Sequence, residues 1–352
     1  MITATNPPRF LIIQTAFIGD VILATAMLEQ LHEAYPTAVL DLLVRKGNEG
    51  LLANHPFLNE VLIWDKKGTG GPFAKYRNLW QLLDVIRGHQ YTAVFNLQRY
   101  ATTGMLTVLS NAEMTIGFDK NPLARFYTHQ VEHRFEPGVH EVDRNAGLLR
   151  ALGVRGGFVR RPKLYPSQAD YQAVKPYQHH PYICIAPMSV WFTKQYPVER
   201  WIELIQLLPE TTTVYLLGAP TDASACEAIR AKTEPGRNVV SLAGKLSLLQ
   251  SAALQQNAVM NYVNDSAPLH LCSAMNAPTT AIFCSTVPEF GFGPLADVSR
   301  VVQTPEQLDC KPCSLHGRLR CPLGHFACAW GIRLDELANL SRQKSDQPDS
   351  II

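Results

Sequence analysis

Short apolar runs alternate with amphipathic stretches along most of the chain. FLIIQ (10–14) reads as a strand, and DVILATAMLEQLHEAY (20–35) reads as the helix that follows it. AVLDLLV (38–44), NEVLIWD (59–65) and YTAVFNLQ (91–98) are further strands. GNEGLLANHP (47–56) and YRNLWQLLDVIRGHQ (76–90) carry apolar residues at helical spacing. KKGTGGPFAK (66–75) is Gly-rich and reads as a loop. The alternation restarts at YICIAP (182–187) and passes through TTVYLLG (212–218), VVSLAG (239–244), AVMNYVND (258–265) and TTAIFC (279–284), each pair separated by a helical stretch. Strands that alternate with helices imply βαβ units and a mostly parallel sheet.

The pattern therefore predicts an α/β chain of two Rossmann-like, doubly wound domains facing across a cleft. Residues 1–165 form the first domain and 181–335 the second. A Pro-rich, polar linker spans 166–180, and a C-terminal helix and tail occupy 336–352. Strand C-termini and helix N-termini of such domains converge on the ligand crevice.

Composition narrows the function. The 352 residues include 46% hydrophobic ones, enough for two cores, and the net charge of +2 argues against general nucleic-acid binding. Charge is uneven: residues 1–165 hold 18 Lys+Arg against 14 Asp+Glu, and the remainder 14 against 16. The first half is the better host for an acidic partner. No run of eighteen apolar residues and no secretory leader pattern occurs, so a cytoplasmic location is expected.

The second half offers the makings of an anion site. YVNDSAPLHLC closes a strand with Asn264, Asp265 and Ser266 and opens a helix at Ala267. Asp265 and Ser266 are good cap residues, and backbone N–H groups beyond the cap suit a diphosphate. A carboxylate cannot bind phosphate directly, so Asp265 either caps or orients a donor or sugar hydroxyl. Lys194, in a loop before another helix, is a candidate cationic clamp, with Ser189 as an added hydroxyl donor; a solvated surface lysine is the competing reading. Gly218 ends a strand where a ribose fits against the backbone, with Asp222 or Ser224 for its hydroxyls. Leu246 offers a face to an adenine-sized ring. His270 suits a sugar contact, a phosphate contact or a buried core position. P-loop, dinucleotide, zincin, nucleophile-elbow and DxD patterns are all missing, so the anion falls to Lys194 and helix ends.

All eight cysteines lie beyond residue 183. Cys184, Cys226, Cys272 and Cys284 sit in apolar segments and read as core thiols. Cys310, Cys313, Cys321 and Cys328 are spaced C-x2-C-x7-C-x6-C, with His316 and His325 between them. They suit a structural zinc, disulfides or reduced packing thiols, and a cytosolic location disfavours disulfides.

Three segments together resemble the lipopolysaccharide heptosyltransferases, glycosyltransferase family 9. They are the opening FLIIQTAFIGDVILATAML, the stretch TKQYPVERWIELI, and NDSAPLHLCSAMNAPTTAIFCSTVPEFGFGPL, in which Ala267 stands where the family usually has Gly. The resemblance implies a GT-B fold with an ADP-heptose or related donor in the C-terminal domain. It also implies a lipid A-core acceptor in the N-terminal domain, and inverting transfer that requires no metal. An acceptor of that kind places the protein peripherally at the cytoplasmic face of the inner membrane. Asp20 then becomes the base that takes the acceptor hydroxyl's proton, rather than only a helix cap, and Gly19 allows close approach. His140 and Arg144 contact an anionic acceptor sugar or fix a helix, and Arg99 is a further acceptor candidate. The rivals are a GT-B transferase of another nucleotide sugar and a non-catalytic nucleotide-binding module.

Overall fold

The computed structural model describes residues 7–66, 71–154 and 161–338. The chain divides into two compact units, Met1–Tyr165 and Pro166–Ile352. Unit 1 contains β1 (Arg9–Ile13), β2 (Val39–Arg45), β3 (Leu58–Trp64), β4 (Ala93–Asn96), β5 (Met114–Phe118) and β6 (His129–Val131). Its helices are α1 (Ile18–Ala34), α2 (Gly71–Gly88), α3 (Ala101–Val108) and α4 (Glu141–Gly147). Unit 2 adds β7 (Tyr182–Ala186), β8 (Thr213–Leu216), β9 (Val239–Ser241), β10 (Met260–Asn264), β11 (Thr279–Phe283) and β12 (Ser299–Gln303). Its helices are α5 (Gln168–Val174), α6 (Val198–Leu207), α7 (Ala223–Lys232), α8 (Leu248–Gln256), α9 (Ala267–Met275) and α10 (Ala327–Trp330).

The sheets run β3-β2-β1-β4-β5-β6 and β12-β11-β10-β7-β8-β9, with neighbouring strands parallel. Counted from the first strand of each unit, both have the Rossmann order 3-2-1-4-5-6. The order reverses beside β1 in unit 1 and beside β7 in unit 2. Loops 14–17 and 97–100 therefore flank one switch point, and 187–197 and 265–266 flank the other.

Helix α1 is apolar on nearly every face and is buried from Val21 to Leu31. Its one buried carboxylate, Glu29, ties down the end of unit 1. Tyr165 Oη donates to Glu29 Oε1 at 2.6 Å, Lys163 Nζ reaches Oε2 at 3.0 Å, and His55 Nε2 lies 3.6 Å from Oε1.

Three expectations change. The segment 166–180 is no bare linker, because Ser167 and Asp170 form a reciprocal capping box that starts α5. Tyr171 Oη then donates to Gln256 on α8 at 2.8 Å, which ties this helix to unit 2. The Gly-rich loop is shorter than expected, since α2 begins at Gly71; residues 67–70 lie outside the described residues. A helix occupies 334–338, and the rest of the expected C-terminal helix and tail lies outside them.

Asp41 sits on β2 with no solvent exposure. Arg9 Nε, Asn59 Nδ2 and Tyr91 Oη donate to it at 2.9, 2.9 and 2.8 Å. A buried carboxylate is tolerable only when its lone pairs are filled in this way. Asp41→Ala leaves these donors and the Arg9 charge uncompensated and is expected to destabilise unit 1 by about 3–5 kcal/mol. Urea unfolding followed by fluorescence checks this: the first transition moves to lower urea.

Candidate active site

In unit 1 the switch-point loop leads directly into the first turn of α1. Asp20 occupies that turn, and its Oδ2 accepts the Phe17 N–H at 3.1 Å. The carboxylate therefore caps its helix from the third helical position. Gly19 is its neighbour in the same turn.

The other N-terminal candidates gather around α4, which packs against α1. His140 Nδ1 accepts the Val142 N–H at 3.2 Å and so caps α4. Arg144 Nε and Nη2 both reach Glu141 Oε2 at 2.8 Å, and Nη1 donates to Val139 O at 2.8 Å. Arg144 thus fixes local structure as well as carrying charge. Its guanidinium stands 4.8 Å from the Phe135 ring centroid, and that of Arg99 stands 5.7 Å from the same ring. Burial raises the Glu141 carboxyl above its ordinary range against the pull of Arg144, and the Asp20 charge adds to the rise. Asp20, Arg99, His140 and Arg144, dispersed in sequence, belong to one charged neighbourhood.

Sequence reasoning missed Glu141 and Phe135 in that neighbourhood. It also missed two cations around the 15–17 loop. Lys66 Nζ donates to Thr15 O at 2.8 Å and lies over the Trp64 and Tyr100 rings at 4.8 and 5.9 Å. Arg45 lies over the Phe17 ring at 4.9 Å. Burial, then the charge of Arg45, lowers the proton affinity of Lys66. The signal available was positional: Arg45 ends β2 and Lys66 follows β3, at the ligand-facing edge of a parallel sheet.

In unit 2, Lys194 and Asp265 form an ion pair with Nζ–Oδ2 2.7 Å and side-chain exposures of 14% and 7%. Thr286 Oγ1 donates to the same Oδ2 at 2.6 Å. Asp265 thus meets Lys194 and Thr286, and the cap position of α9 falls to the next residue. Ser266 holds the cap position, but its side chain makes no capping bond and instead contacts Asn264 O at 3.4 Å. Ala267 begins α9, and Pro268 has no N–H to offer there. Ser189 is half-buried, and its carbonyl accepts from Gln195 at 2.7 Å. His270 is buried in α9 with its ring 6.3 Å from that of Phe292.

The nucleotide candidates fare differently. A Cβ at Gly218 would stand 2.8 Å from Cβ of Asp222, so only a glycine fits against that side chain. Asp222 Oδ2 accepts the Ala219 N–H at 2.9 Å and so braces the turn after β8. Leu246 is half-buried between β9 and α8.

The chain's residues 79–319 match the family model described as glycosyltransferase family 9 (heptosyltransferase). The chain belongs to that family.

This family 9 glycosyltransferase is 26% identical over 283 residues to lipopolysaccharide heptosyltransferase 3 of Escherichia coli strain K12, covering 76% of this chain and 80% of the relative. Its fold is that of the E. coli ADP-heptose lps heptosyltransferase II, with TM-score 0.75, 20% identity and coverage of 96% and 99% of the two chains. A family 9 glycosyltransferase from Veillonella parvula superposes with TM-score 0.76 at 20% identity, over 84% and 86% of the chains. The GT-B architecture of two Rossmann-like domains is therefore established. The matched segment includes Lys194 and Asp265 and begins after Asp20.

The transferase's four core cysteines are buried, and burial pushes the Cys226 and Cys272 thiols up to about 12. Cys310, Cys313, Cys321 and Cys328 are free thiols, and the electrostatic influence of the other three contributes to the raised proton affinity of Cys328, which stands at about 11, mainly from burial. His325 Nδ1 accepts the Ala327 N–H at 3.0 Å. Among the described residues no group of three or more His, Cys, Asp or Glu is arranged to hold a metal ion.

Two buried histidines make unit 1 acid-sensitive. Burial lowers His133 from 6.5 to about 4, helped by Arg99 and Arg144, and lowers His55 to about 4 by burial again. The unfolded chain takes up these protons first, so their contribution is complete above about 6.5 and is lost as pH falls toward 4. The urea midpoint of unit 1 is expected to fall across that window. His133→Phe should give a shallower fall.

Proposed function

We propose that this enzyme transfers a heptose, with inversion, from an ADP-heptose donor held on unit 2 to an inner-core lipopolysaccharide acceptor held on unit 1. The similarity to lipopolysaccharide and ADP-heptose heptosyltransferases supports both substrates. The observation that carries the assignment is the Lys194–Asp265 pair beside the N-terminus of α9. An ammonium has three N–H donors. One is fixed on Asp265, and the others are suited to the oxygens of a diphosphate. As the bond from the anomeric carbon to phosphate breaks, its electron pair passes to ADP, and Lys194 with the positive end of the α9 dipole stabilises the growing charge.

Asp20 supplies the other half. The acceptor hydroxyl forms the new C–O bond on the face opposite ADP, and its proton passes to the Asp20 carboxylate. Capping and proton acceptance are compatible, because a carboxylate has two oxygens and about four lone-pair sites. Arg99, Arg144, Lys66 and Arg45 give that neighbourhood the cationic character an acidic core sugar needs. In this reading the leaving charge is met by Lys194 rather than by a metal ion, and Asp265 is engaged by Lys194 and Thr286. Among the described residues no helix is long and apolar enough to cross a membrane. The proposed site of action is peripheral, at the cytoplasmic face of the inner membrane where the lipid acceptor lies.

The test incubates the purified chain with ADP-heptose and truncated core acceptors, reading ADP release and a mass gain of one heptose. Asp20→Asn is expected to lower kcat by about 10²–10⁴ with donor binding retained. Lys194→Ala should lower it by about 10²–10³. Wild-type turnover by Asp20→Asn would remove Asp20 as the base. Turnover of other ADP- or UDP-sugars but not ADP-heptose would replace the donor.

A further inference from the structure

The Cys-rich segment packs onto the loop that carries Lys194. Thr193 is 1% exposed, and its hydroxyl accepts from Arg318 N at 2.8 Å and from Ser285 Oγ at 2.9 Å. Its own N–H donates to Arg318 O at 3.1 Å, so Thr193 and Arg318 are joined like neighbours in a ladder. Ser285 O accepts the Cys313 N–H at 3.0 Å, which ties the start of the segment to the end of β11. The Phe192 and Phe326 rings meet at 5.2 Å and tie its far end.

Two adjacent pairs, Thr193-Lys194 and Ser285-Thr286, run through this contact. The first member of each is bonded to the other and to the Cys-rich segment. The second member of each meets Asp265 Oδ2. Gly317 closes the arrangement. It lies at φ +81°, and a Cβ there would stand 3.0 Å from Lys194 Cγ, 3.1 Å from Trp191 Cβ and 3.3 Å from Thr193 Oγ1. Such contacts are tighter than packing normally allows, so the Lys194 side chain would have to shift.

We infer that the Cys-rich segment 310–328 is the wall that sets the position of the Lys194 ammonium, with Thr193 and Gly317 as its positioning residues. The inference rests on the reading of Lys194 as the leaving-group clamp. It gives the segment a catalytic purpose through packing and hydrogen bonds alone. A displacement well under 1 Å at Lys194 Cγ is amplified along the side chain and misplaces a charge whose value depends on position.

Full-chain variants test this in the ADP-release assay. Gly317→Ala and Thr193→Val are expected to lower kcat about 10-fold to 10²-fold, with acceptor KM unchanged. Thr193→Ser, which keeps the hydroxyl, should restore kcat to within about twofold of wild type. Gly324→Ala is the control for backbone strain, because Gly324 has φ +75° in the same segment but nothing within 4 Å of its Cβ. It should leave kcat unchanged. In a Lys194→Ala background, Gly317→Ala should cost nothing further, a coupling that mere loss of stability would not produce. Full kcat in both Gly317→Ala and Thr193→Val, while Lys194→Ala is impaired, overturns the inference and leaves the function standing. Full kcat in Lys194→Ala removes the clamp itself, and the inference with it.

Discussion

A carboxylate and an ammonium share one mostly buried position in unit 2, and the proposed chemistry of that unit depends on them. Lys194 and Asp265 are 71 residues apart in sequence, yet their charged atoms meet at 2.7 Å with little solvent around either. Burying both charges carries a large desolvation cost that their attraction only partly offsets. Stability alone is a poor reason for such a pair. Its value in the proposed reaction is geometric: Thr286 helps hold Asp265, and Asp265 fixes one side of the ammonium. A charge preorganised in this way stabilises a leaving group without reorganising during the reaction.

Unit 1 solves the opposite problem on the same scaffold. Both sheets have the order 3-2-1-4-5-6, so both offer a crevice where the order reverses. What differs is the chemistry hung on the loops. Around α1 and α4 the chain supplies a carboxylate at a helix start, a buried Glu141–Arg144 pair, and cations laid over Phe135, Phe17 and Trp64. Cations on aromatic shelves keep their charge accessible while losing little entropy, which suits recognition of an acidic sugar.

The sequence was most readable where burial is complete. β1, β4 and β7 are mostly apolar runs buried along nearly their whole length, and their pattern reveals them, whereas β5, buried at four of its five positions, is too short a run among polar neighbours to stand out. β6 and β12 are edge strands with burial on one residue at most, so no apolar pattern marks them. α5 carried a readable signal in Ser167 and Asp170, but the surrounding prolines and polar residues obscured it. Candidate residues followed the same rule. Their places at strand ends were legible, since the α/β alternation dictates which loops face the crevice. Their partners were not. Asp265 has the local signature of a cap and is instead drawn to a distant lysine, and Asp222 packs against Gly218 and bonds the Ala219 N–H. Pairings of this kind are decided by tertiary proximity, which no local spacing encodes.

The most direct measurement is a double-mutant cycle on kcat between Lys194 and Asp265, using Lys194→Ala, Asp265→Asn and the double variant in the ADP-release assay. If one positioned charge does the work, each single variant loses nearly the full effect and the double is no slower than the slower single. Losses that instead multiply, with the double variant slower than wild type by the product of the two single factors, would show the two groups acting independently and contradict the account.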